Sequence, residues 1–137
     1  LICYIMKHSY IENEHTEMWL EDDIIHVVYK PHLKSIDMEV AQKMVSNRLK
    51  ISNGISRPIF IDTSNAKEIN KEAEEHMATG DAMKYLNATA LLVHNRVSKL
   101  VANFYISISR PKIPTKVFTD KQKALEWLKH YKDLSMN

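Results

Sequence analysis

The run Ala88-Thr89-Ala90-Leu91-Leu92-Val93 constrains this chain more than any other stretch. Its apolar residues stand at both parities, so a strand built from it is apolar on both faces. Such a strand has to be covered from above and below. A parallel sheet whose crossover helices pack on either side meets that requirement, and the remaining sequence supplies the parts.

Residues 16–30, "TEMWLEDDIIHVVYK", read as two strands around a tight turn at Glu21–Asp23, because β-branched and aromatic residues crowd both sides of two aspartates. "PHLKSI", opened by Pro31, is a linker. Asp37 caps "MEVAQKMVSNRLKIS", in which Val40, Ala41, Met44, Val45, Leu49 and Ser52 follow helical spacing. Gly54 stands where a left-handed residue ends a helix. The strand "PIFID" then leads through a connection to a helix at about 70–79, ended by Gly80, and "DAMKYL" adds a short helical turn. After the 88–93 strand, Asn95 caps "RVSKLVANFYISIS", with Val97, Leu100, Val101, Phe104 and Ile108 on one stripe. Pro111 breaks that helix ahead of a strand "TKVFT". Asp120 caps "KQKALEWLKHYK", whose Ala124, Leu125, Leu128 and Tyr131 face inward.

The expected fold is therefore α/β: an N-terminal β-hairpin followed by α-β-α-β-α-β-α, in a mostly parallel open sheet with helices packed on it. Residues 16–132 make one domain, 1–15 an N-terminal extension and 133–137 a C-terminal tail. Residues 1–5 read as extra sequence ahead of a start at Met6.

Composition narrows the functions. The formal charge of +2 arises from 19 basic and 17 acidic residues spread along the chain, which gives no electrostatic footprint for nucleic acid. No apolar run approaches the roughly 18 residues of a transmembrane segment. Cys3 is the single cysteine, so an internal disulfide cannot form, and a reducing, cytoplasmic setting is expected. With two glycines in the chain there is no phosphate-binding glycine loop and no nucleophile elbow. The seven histidines show no paired ligand spacing, so neither a metal nor a cofactor is expected. No catalytic motif is present, and the chain reads as a non-enzyme.

In open parallel sheets, ligands bind beyond the carboxyl ends of the strands. Those ends carry Asp62, Thr63 and Ser64 on one strand and His94, Asn95 and Arg96 after the next. His94 and Arg96 at a helix start could hold an anion, with Asp62 pairing to either. The alternative is structural: Asn95 caps a helix and Asp62–Ser64 satisfy a turn. The 96–108 helix adds Ala102, Tyr105 and Ile106 outside its stripe. Apolar surplus of that kind is covered by the chain itself, by a second copy in a homodimer, or by a ligand in a pocket.

The segments "WLEDDIIHVVYKP", "DMEVAQKMVSNRLKISNG", "ALLVHNRVSKLVANFYISISRPKIPTKVFTD" and "ALEWLKHY" resemble a small bacterial SpoIIAA-like family, related to the STAS-type anti-sigma-factor antagonists. The resemblance spans about residues 16–132 and implies the fold, without a biochemical role to carry over. Antagonists of this type carry a strand-end acidic or amide residue and then an Asp-Ser-Ser-Gly turn at a helix start, where a serine is phosphorylated. Here the strand end matches Asp62 and the turn falls on Asn70, Lys71, Glu72 and Ala73. Lys71 occupies the serine position, and a lysine neither accepts that phosphate nor carries its sign of charge. The leading reading is a regulatory or protein-interaction module of SpoIIAA-like fold without the serine switch, expected to be a homodimer through the 96–108 helix and open to a protein partner. The alternative is a small-molecule or lipid carrier using a cleft between helices and sheet.

Overall fold

The computed structural model describes residues 9–66, 68–96, 99–100, 102–103, 106 and 112–132. In chain order the strands are β1 (Tyr10–Glu12), β2 (Thr16–Glu21), β3 (Ile24–Tyr29), β4 (Ser35–Ile36), β5 (Arg57–Asp62), β6 (Glu68–Ile69), β7 (Leu86–Leu92) and β8 (Thr115–Phe118). The helices are α1 (Met38–Ser52), α2 (Lys71–Ala78) and α3 (Lys121–Lys132), with a 3-10 turn at Gly80–Met83. Arg96, Lys99, Leu100, Ala102, Asn103 and Ile106 are also helical.

The hairpin is where the sequence puts it. Glu21 pairs with Ile24, leaving Asp22 and Asp23 as a two-residue turn with φ of 53° and 62°. Both central residues of a type I′ turn need positive φ, and aspartate tolerates it better than most side chains. Arg57 holds the turn from below, its Nε donating to Asp23 Oδ1 at 2.8 Å. The segment read as an N-terminal extension supplies β1, an edge strand antiparallel to β2.

The main sheet runs β1-β2-β3-β5-β7-β8. It is antiparallel through the hairpin and parallel from β3 to β8. A second, two-stranded parallel sheet joins β4 to β6, in segments that the sequence reads as linker and connection.

Alternation sorts the core into two layers. Ile25, Val27, Tyr29, Ile59 and Ile61 pack with Val40, Ala41, Met44 and Ile51 of α1 and with Ala73 of α2. Residues of the other parity, Phe60, Ala88, Ala90 and Leu92, pack with Ala124 and Leu128 of α3. The two faces of β7 differ: Ala88, Ala90 and Leu92 are buried on the α3 side, while Thr89 and Leu91 on the other are half-buried. Small Ala88 and Ala90 let α3 lie close on the sheet, and truncating the fully buried Leu128 to alanine should cost about 3 kcal/mol.

Two positions differ from the helical stripes read in the sequence. Leu49 is half-buried while Arg48 is buried, because the Arg48 guanidinium finds acceptors inside. Leu100, expected in a core stripe, is 70% exposed, so the covered side of that helical segment lies elsewhere. Val97, Val101, Phe104 and Ile108 lie outside the described residues.

Candidate functional site

A cavity of about 230 Å³ lies between the sheet and the helices on the α1 side. Its floor is the inward parity of the parallel strands: Ile59 and Ile61 of β5, Thr89 and Leu91 of β7, and Thr115 of β8. Met44 and Val45 of α1, Met77 of α2, and Ala82 and Met83 of the 3-10 turn form the walls. Ala102 closes it from the 96–106 segment.

Among the described residues, the polar groups on the lining are few. Thr63 Oγ1 donates to the carbonyl of Leu92 at 2.6 Å, and Thr115 Oγ1 to that of Ile113 at 3.1 Å. Glu68 is exposed at the rim. Arg48 stands apart, a charged side chain only 1% exposed that lines an apolar space. Its Nη2 donates to the carbonyls of Asp81 at 3.2 Å and Ala82 at 3.1 Å, and its Nη1 to Ser52 Oγ at 3.4 Å. No carboxylate pairs with it among the described residues. Burial weakens its hold on its proton, pushing the pKa down to about 10.

The six residues read as a strand-end anion site fall into two groups. Asp62 and His94 come together at the ends of β5 and β7, with His94 Nε2 3.4 Å from Asp62 Oδ1. Asp62 also accepts the Ser64 N–H at 3.0 Å, closing a local turn, and Thr63 is tied to Leu92. The Asn95 carbonyl accepts from the Lys99 N–H, as at a helix start, and Arg96 is exposed. Thr63 is thus the member of that set that also faces the cavity.

Lys71 opens α2, whose N-cap Asn70 accepts from the Ala73 N–H. The position is a helix start, as the antagonist pattern requires, with an exposed lysine in place of a serine. Of the residues read as an interface, Ala102 is half-buried and lines the cavity, Ile106 is half-buried, and Tyr105 lies outside the described residues.

Sequence spacing also missed a cluster of Glu14, His15 and Glu39, whose ligand-type atoms lie within 4.8 Å of one another. The Lys43 ammonium already bridges it, 2.9 Å from Glu14 Oε1 and 3.1 Å from Glu39 Oε1. No helix among the described residues is long and apolar enough to cross a membrane.

The sequence from residue 18 to residue 132 matches the family model described as Domain of unknown function (DUF7793). The chain belongs to this family. Its fold is SpoIIAA-like, the same as in an uncharacterized protein of the DUF3478 family from Shewanella loihica PV-4. The two are 17% identical and superpose with a TM-score of 0.60 over 86% of this chain and 98% of the other. A protein with unknown function from Arthrobacter sp. FB24 is 22% identical over 82% of this chain and 97% of its own, with a TM-score of 0.31. No curated protein matches the chain.

Proposed function

We propose that this member of the family is a binding module that takes a small apolar molecule into the cavity between α1, α2 and the sheet, and that it acts by binding rather than by catalysis. The observation that carries this reading is the cavity itself, walled by Met44, Met77, Met83, Ile59, Ile61 and Leu91. Methionines suit such a wall because their unbranched side chains adapt to the shape of an occupant.

The volume sets how much of an occupant the cavity can enclose. An apolar cavity of ~150 Å³ holds benzene, so about 230 Å³ has room for roughly nine or ten heavy atoms. An eight-carbon chain gains about 6 kcal/mol on leaving water. Part of that is offset by lost freedom, which puts the expected dissociation constant near one millimolar.

The test is isothermal titration of the protein with 1-octanol. One saturable site is expected, and it should disappear in Leu91→Trp, which fills the floor of the cavity. Absence of saturable binding, or binding that Leu91→Trp leaves intact, overturns the reading.

A further inference from the structure

We infer that the occupant of this cavity is a compact apolar monocarboxylate whose carboxylate sits against the Arg48 guanidinium and whose hydrocarbon part lies over Leu91 and Thr89. The inference rests on the binding-module reading and adds the chemistry of the ligand's head group.

A buried charge without a counter-ion is costly, and buried charges are ordinarily paired. Arg48 is buried, its three described hydrogen bonds go to neutral carbonyl and hydroxyl oxygens, and it lines the cavity. A guanidinium carries five N–H donors in one plane, so donors remain beyond the three that Ser52, Asp81 and Ala82 take. Carboxylate oxygens match that plane and its spacing.

The charge selects the head group. Arg48 is the only cation among the described residues that line the cavity. One positive charge balances one carboxylate, whereas a phosphate monoester carries about two negative charges and would remain half unpaired. Glu68, the acidic residue on the lining, belongs to β6, whereas Arg48 lies beside the residues that lead into β7. The rest of the described lining is mostly apolar, which makes the rest of the ligand hydrocarbon.

The test compares sodium octanoate with 1-octanol by isothermal titration at neutral pH, on the wild-type chain and on Arg48→Met. The two probes share a chain length and differ in the head group. Octanoate is expected to bind the wild type about tenfold tighter or more, and in Arg48→Met the ratio of the octanoate to the octanol affinity should fall to within about twofold. If octanol binds the wild type as well as octanoate or better, the carboxylate assignment fails and the cavity reading stands. A preference for octanoate that survives in Arg48→Met also overturns the role of Arg48. If neither probe saturates, both readings fall together. The wild-type comparison stands even if Arg48→Met does not fold.

Discussion

The Arg48 guanidinium donates to the carbonyl oxygen of Ala82 at 3.1 Å, tying the C-terminal half of α1 to the 3-10 turn that precedes β7. A second bond from the same Nη2 reaches the Asp81 carbonyl at 3.2 Å. One side chain thus holds a wall of the cavity in place and lines its interior.

Arg48→Ala removes both bonds and enlarges the cavity, so it should destabilise the fold by about 3 kcal/mol. Arg48→Met keeps most of the volume and removes the buried charge, and it should cost about 1 kcal/mol. Urea unfolding midpoints at unchanged slope check the order of the two variants. Equal midpoints for Arg48→Ala and the wild type would mean that the guanidinium contributes nothing to the wall.

Ligand binding should stabilise the folded chain by mass action. Octanoate at a hundred times its dissociation constant is expected to add about 2.7 kcal/mol to the unfolding free energy of the wild type. Leu91→Trp, with the cavity filled, should show no such gain in the same denaturation series.

On the opposite face of the sheet, His26 is buried, stacked on Trp19 at 5.3 Å and edge-on to Phe60 at 5.6 Å. Burial holds its pKa below the ordinary range, Lys121 adds to the effect, and Glu21 opposes it. The folded state therefore keeps the imidazole neutral while the unfolded chain takes up a proton near pH ~6.5. This contribution to stability is complete above that pH and is lost as pH falls through it toward the folded value, with a slope of at most about 1.4 kcal/mol per pH unit. In His26→Phe, stability measured between neutral and mildly acidic pH should fall less steeply than in the wild type.

The Asp62–His94 pair separates the two places where a ligand could sit. Its contact is 3.4 Å and His94 is exposed, so Asp62→Asn should change stability by less than about 1 kcal/mol. It should also leave octanoate affinity unchanged within about twofold. A large loss of affinity in Asp62→Asn would move the site to the carboxyl ends of β5 and β7.

The parts that were legible in the sequence are those with a strong local signal. Asp22–Asp23 between β-branched runs marks the hairpin, and the two-sided apolar run at 88–93 marks a covered parallel strand. The two-residue strands β4 and β6 are shorter than any periodic signal and exist through their pairing with each other. The cavity has no sequence signature, because it is a space left among residues of six strands, two helices, the 3-10 turn and the 96–106 segment. Arg48 did leave a trace. It stands four residues after Met44 and four before Ser52, both on the α1 stripe, but helical spacing gives little reason to place a guanidinium in a core. Only the carbonyls of Asp81 and Ala82, more than thirty residues away in the chain, make that position tenable.

The most direct test of the central claim is a titration of the isotope-labelled protein with 1-octanol, followed by amide chemical shifts. The cavity account predicts shifts that saturate together at Thr89, Leu91, Met83, Met44 and Ala102, with little change at Asp62 and His94. Shifts confined to the strand ends at Asp62 and His94, or no saturating shifts at all, would contradict it.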